Sequence, residues 1–172
     1  MNFRRVMIGM SLGMAIASQA IDINGDFAKV EKNFPVGWLQ NKEDWAKPFG
    51  TVSIVPDGKN NLLKITSNGN ITGIYTAGVI EGQAENEFVL MIKGQGKGTL
   101  RIGILNYDAN RQWIESEIRL ISLSGKKEEF RHTFEIKNYK GRTTKYIRPY
   151  IGVAKDGEVL INSFQIRKRQ PE

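Results

Sequence analysis

Two apolar alternations separated by glycines constrain this chain more than any other feature. In Glu87-Phe-Val-Leu-Met-Ile-Lys93, residues Phe88, Leu90 and Ile92 recur at every second position. In Thr99-Leu-Arg-Ile-Gly-Ile-Leu-Asn-Tyr107, Leu100, Ile102 and Ile104 do the same. A period of two places each set on one face of an extended strand. Gly94-Gln-Gly-Lys-Gly98 joins the two arms, so the stretch reads as a long β-hairpin with a glycine-rich connection and one buried face.

The rest of the chain repeats this grammar. Val52 and Ile54 alternate, then Leu63 and Ile65, then Phe130, Phe134 and Ile136. Turn residues punctuate the runs: Asn24-Gly25, where Gly25 is expected to supply the left-handed backbone; Pro56-Asp-Gly-Lys-Asn-Asn61; Ser67-Asn-Gly-Asn70; Asp108-Ala-Asn-Arg111; Ser124-Gly-Lys-Lys127; and Lys155-Asp-Gly-Glu158 as a tight turn before the last strand. Nowhere does an apolar period of 3.6 persist. The fold class expected is all-β, a two-sheet antiparallel jelly-roll sandwich. In the last strand Val159 and Ile161 have one parity and Phe164 and Ile166 the other. All four face the core only if a β-bulge falls near Asn162-Ser163. Trp38 is expected in the core.

Residues 1–20 read as a secretory signal peptide. Arg4 and Arg5 precede an apolar run too short for a comfortable membrane span, and Ser18-Gln19-Ala20 offers small residues for cleavage. Residues 21–172 then form one domain, secreted or periplasmic, with no membrane insertion after cleavage. There is no cysteine, so the fold rests on its core rather than on disulfides. The net charge of +7 is compatible with an anionic glycan or surface; export argues against nucleic acid, and the chain is expected to be a monomer.

In this order the pieces Asn24-Gly-Asp-Phe27, Gly37-Trp38, Asp57-Gly58 before Leu63-Lys-Ile65, the segment from Glu87 to Gly94, the run of Phe130, Phe134 and Ile136, and Gly157-Glu-Val-Leu-Ile-Asn162 resemble a jelly-roll carbohydrate-binding module of the family 4/9 type, a galactose-binding-like β-sandwich. The resemblance implies a glycan held on the concave sheet or at the loop ends. It also implies a possible structural calcium where the N-terminal segment, an early loop and the last strand meet, with Asp26, Asp57 and Asn162 as candidates. Ala28 and Asn162 stand where the family often has acids, which weakens that site.

Sugar recognition needs flat apolar surfaces beside polar groups that fix orientation. Parity turns Arg101, Gly103 and Tyr107 away from the core in one strand and Tyr146, Arg148 and Tyr150 in another, with Gly103 leaving room between them. The ligand-binding candidates are therefore Tyr75, Arg101, Tyr107, Trp113, Arg148 and Tyr150, with Trp45 on a nearby loop. If both arginines open into one groove, an acidic glycan suits them. His132 shares the parity of Phe130 and Phe134 and is expected to be structural. Glu115 and Glu117 share a strand face, where a solvated pair explains them as well as an acid pair does. The expectation is a non-catalytic glycan-binding module, not an enzyme and without a cofactor beyond the possible calcium. The alternatives are a structural or adhesion sandwich for a protein or envelope partner, and a small polysaccharide lyase.

Overall fold

The computed structural model describes residues 18–43 and 47–169. Most of the expected signal peptide, residues 1–17, and the candidate Trp45 lie outside the described residues. The strands are β1 (Ser18–Ile21), β2 (Val30–Glu31), β3 (Phe34–Pro35), β4 (Trp38–Gln40), β5 (Thr51–Asp57), β6 (Asn60–Thr66), β7 (Thr72–Thr76), β8 (Ile80–Glu81), β9 (Glu87–Tyr107), β10 (Trp113–Ser124), β11 (Glu128–Glu135) and β12 (Tyr146–Arg169). No helix occurs among the described residues, and the expected all-β sandwich is the observed class.

Two strands organise it. β9 and β12 run antiparallel along nearly their whole length, from Tyr146 beside Tyr107 to Arg169 beside Glu87. Each passes through both layers. The first half of β12 and the second half of β9 form the front layer with β10 on one flank and β7, β8 and β4 on the other. Their remaining halves form the back layer with β11, β6, β5 and β1. One hydrogen-bonded sheet thus folds over on itself, and a single core fills the fold: Phe88, Leu90, Ile92, Leu100, Ile102, Ile104, Ile147, Ile151, Phe164 and Ile166 are all at most 1% exposed.

The expected hairpin at Gly94–Gly98 is therefore not formed. Both arms belong to one continuous strand, and they pair with β12 rather than with each other. The glycines occupy the inward phase shared by Leu90, Ile92, Leu100 and Ile102, at the corner where β9 crosses between layers. A Cβ on Gly96 would lie 2.2 Å from the Glu158 carbonyl oxygen, and one on Gly94 would lie 2.7 Å from that of Leu160. The glycines permit close backbone approach at a bend. Likewise Lys155-Asp-Gly-Glu158 is no tight turn between strands. Residues 155–157 form a bulge within β12 opposite the single residue Gly98.

The second expected irregularity is present. The β9–β12 register shifts between Ile161 and Ser163, and Val159, Ile161, Phe164 and Ile166 all enter the core. Trp38 is buried against Phe27 and Phe164, with ring centroids 6.2 and 5.6 Å away, and its Nε1–H donates to the Ile23 carbonyl at 2.9 Å. In the Asn24–Phe27 turn the left-handed residues are Asn24 and Phe27 rather than Gly25. Gly25 is required by space: a Cβ there would sit 1.7 Å from the Phe164 carbonyl oxygen.

Candidate functional site

The front layer turns its second face away from the core, and register decides which side chains meet there. Tyr150 on β12 stands opposite Gly103 on β9 and Tyr75 on β7. Arg101 stands opposite Gly152, and Arg148 opposite Leu105. Diagonal neighbours on a sheet face are within reach of long side chains. Arg148 accordingly lies between two rings, its guanidinium carbon 5.1 Å from the Tyr107 centroid and 5.6 Å from that of Tyr75. Such a double cation–π contact holds both rings in place.

The floor is built on glycine. A Cβ on either Gly73 or Gly152 would lie 2.4 Å from the Tyr150 hydroxyl, and these two glycines are cross-strand partners. Their missing side chains let the Tyr150 phenol settle against the sheet, 4% exposed yet on the side opposite the core. Gly103, expected to leave room between rings, instead lets β10 come close; a Cβ there would meet the Glu117 carbonyl oxygen at 2.0 Å.

Trp113 joins from β10 through a bulge. Trp113 pairs with Tyr107 and Glu115 with Asn106, so Ile114 is an inserted residue. The insertion moves Trp113 to the face of Ser116 and Ile118, where its Nε1–H donates to Ser116 Oγ at 3.1 Å and its ring stays 54% exposed.

A cavity of about 430 Å³ results, lined by Tyr75, Arg101, Tyr107, Trp113 and Tyr150 together with Asn41, Glu43, Leu105, Ser116 and Ile118. Its size suits a small ligand or a few sugar units. Five of the six expected residues line it; the sixth, Arg148, is stacked behind its tyrosine wall. Leu105 shares the outward parity of Arg101 and Tyr107, whereas Ser116 and apolar Ile118 have the parity that a solvated Glu115–Glu117 face would turn to the core. Asn41 and Glu43 follow β4 on an irregular segment with no period to reveal them, and the role of Gly73 and Gly152 shows only when the strands are paired. A second cavity, of about 360 Å³, lies between Ile21–Asn24 and the Val36, Gly37 and Thr76–Ile80 region. It has neither ring nor guanidinium in its lining, so it offers no stacking surface.

Burial pushes the Tyr150 hydroxyl above its ordinary pKa, with Arg101 opposing by charge and hydrogen bonding. Burial raises Tyr107 too, against the pull of Arg148. Both phenols therefore stay neutral at physiological pH and can donate and accept hydrogen bonds. The Nε atoms of Arg101 and Arg148 are buried without a hydrogen-bond partner. Glu43 is the one carboxylate among the described lining residues.

The remaining candidates lie elsewhere. Glu117 is on the core-side face of β10 and accepts a hydrogen bond from the Tyr139 hydroxyl; Glu115 shares that face. Neither enters the cavity. His132 is half-buried with its ring 4.6 Å from Phe134, and burial, then Arg119, pushes its pKa down.

The three segments expected to hold calcium approach one another, and some of their oxygens are engaged within the protein. The Gly25 carbonyl accepts from Phe164 N–H at 2.7 Å, the Phe27 carbonyl from Asn61 Nδ2 at 2.9 Å, and Asp26 Oδ1 from Ala28 N–H at 3.2 Å. Among the described residues no three His, Cys, Asp or Glu side chains gather. Asp26, Asp57 and Asn162 bring two carboxylates and one amide, so an ion that takes six to eight oxygens would need backbone carbonyls or water as well.

Fold and cavity together define a jelly-roll-like β-sandwich with an aromatic pocket on its front layer. The same architecture occurs in a cyclase from Fischerella sp. TAU, at a TM-score of 0.64 and 12% identity over 91% of this chain and 100% of the cyclase. It occurs also in the family 11 carbohydrate-binding module of the cellulosomal cellulase Lic26A-Cel5E of Clostridium thermocellum, at 0.61 and 13% over 88% and 95%. A family 11 carbohydrate-binding module from Clostridium thermocellum in complex with a β-1,3-1,4-mixed-linked tetrasaccharide matches at 0.60 and 14% over 88% and 96%. No family model matches the sequence, and no curated protein does. Likeness to carbohydrate-binding modules thus holds at the level of the jelly roll, and the family 4/9 type is not confirmed. The expectation that the chain is not an enzyme is corrected: cyclases share this fold along their full length, so the architecture gives no ground for a non-catalytic role.

Proposed function

We propose that this chain is a glycan-binding β-sandwich that holds an oligo- or polysaccharide in the pocket between β9, β10, β12 and β7. One observation carries the reading. The Tyr107–Arg148–Tyr75 stack and the exposed Trp113 ring supply fixed aromatic surfaces at one cavity, while two neutral phenols, Arg101, Asn41 and Glu43 supply hydrogen bonds beside them. A sugar presents that same combination in reverse, C–H faces edged by hydroxyls. The tetrasaccharide complex of a neighbour with the same fold supports the ligand class. We further propose export as a monomer with cleavage after Ala20, which would leave only Ile21 of β1 paired to β12; mass spectrometry of the mature chain tests it.

Calorimetric titration against a panel of neutral and acidic oligosaccharides tests the binding. Tyr107→Ala and Trp113→Ala should each weaken it about tenfold or more, since a stacked ring is worth roughly 1 kcal/mol beyond the area it covers. Trp113→Ala should leave the melting temperature unchanged. No binding by the wild-type chain across the panel overturns the proposal. A second reading, catalysis on a small molecule in the same pocket, is favoured by the full-length match to the cyclase; turnover of a bound ligand would establish it.

A further inference from the structure

We infer that the pocket selects a glycan unit bearing a carboxylate, a uronic acid, and that Arg101 is the residue that reads it. The inference rests on the glycan-binding reading above and adds the charge of the ligand. Arg101 lines the cavity beside Tyr150. It makes no ion pair with any carboxylate among the described residues, and its Nε is buried with no partner. Arg148, directly behind the tyrosine wall, is in the same condition. Two half-buried guanidinium groups without a counter-charge are costly to hold, and such a site gains most from an anion.

The one lining acid does not cancel them. The charge of Glu43 is felt at Tyr107, as the smallest of several influences there, and not at Tyr150. At Tyr107 the influence of Arg148 outweighs that of Glu43, so the single lining carboxylate leaves both guanidinium groups without a matching charge. A carboxylate fits the planar guanidinium fork in a way that a hydroxyl does not, and the sugar hydroxyls then fall towards Glu43 and Asn41. The excess of basic residues, net +7 for the full sequence and +5 without Arg4 and Arg5 of the leader, favours the approach of a polyanionic chain.

The test compares tetragalacturonate with the same oligomer after carboxyl reduction, titrated into wild-type protein and Arg101→Gln. Wild type should prefer the uronate by about tenfold or more, and added salt should weaken the uronate alone. Arg101→Gln should remove that preference, losing far more affinity for the uronate than for the reduced oligomer. Arg101→Lys should retain part of the preference, because it keeps the charge and loses the fork; it carries the test if the glutamine variant does not melt cooperatively. Equal affinity for the two oligomers, or an equal loss on both in the variants, overturns the inference and leaves the glycan reading standing. Binding of neither sinks both. Equally tight binding of dextran sulfate overturns the carboxylate assignment in favour of general polyanion attraction.

Discussion

The phenol of Tyr150 lies against Gly73 and Gly152, and its position depends on two missing side chains. Gly152→Ala would put a methyl 2.4 Å from the Tyr150 hydroxyl. The ring must then lift into the cavity, and overpacking of this kind costs about 1–3 kcal/mol. The expected outcome is a lower denaturation midpoint together with weaker glycan binding, measured on the same variant; unchanged binding would show that Tyr150 does not form the floor. Glu117 gives a second residue-scale prediction. Burial pushes its pKa up, with Lys137 opposing and Glu135 adding. A carboxyl raised in the fold is easier to ionise in the unfolded chain. It therefore subtracts stability as pH rises from its unfolded value through its folded one, and subtracts nothing below both. Glu117→Gln keeps an acceptor for the Tyr139 hydroxyl, so it should stabilise more at pH 7 than at pH 4 in thermal melts.

At the scale of elements, the bulge in β12 holds the two ends of one strand in phase. Removing Asn162 would shorten β12 by one residue and turn either Val159 and Ile161 or Phe164 and Ile166 to the outer face. Exposing Phe164 and Ile166 forfeits about 3–6 kcal/mol of burial, against a total stability on the order of 5–15 kcal/mol. The deletion should abolish cooperative unfolding by circular dichroism, and a normal melt would show that the register accommodates the loss. The corner glycines illustrate what was readable and what was misread. Gly94, Gly96 and Gly98 continue the even-numbered phase of Phe88–Ile104, which marks one unbroken strand. Glycine composition alone suggests a turn. What separates the two readings is a non-local partner, β12, about sixty residues on in the numbering. Trp113 poses the same problem: its side of β10 depends on an insertion at Ile114 that leaves no period to detect.

For the whole molecule, acid stability is set by ion pairs that tie distant segments. The Arg142 guanidinium, 2.5 Å from Asp108, holds that carboxyl below the usual range and pins residues 138–144 to the β9–β10 turn. Lys64 does the same for Glu158 at 2.8 Å, across β6 and β12. A carboxyl lowered in the fold contributes stability above its unfolded pKa and loses it as pH falls through the folded value. Unfolding midpoints should therefore drop below the ordinary carboxylate range, and Asp108→Asn should flatten that drop; an identical acid limb in the variant would remove Asp108 from the account. The Lys64–Glu158 pair is the more exposed of the two, so added salt should weaken its share more than that of the partly buried Arg142–Asp108 pair.

Alternation of apolar residues is a local property, and it sufficed to settle which side of β9 and of β12 meets the core, the all-β class, the bulge beside Asn162 and the outward set of Arg101, Tyr107, Arg148 and Tyr150; in β10 it did not. Pairing was decided only in three dimensions, because hydrogen bonds between strands join residues far apart in the chain and leave no period behind. That pairing made one strand of an expected hairpin, brought Trp113, Asn41 and Glu43 to the pocket, and set Arg148 between two rings from different strands.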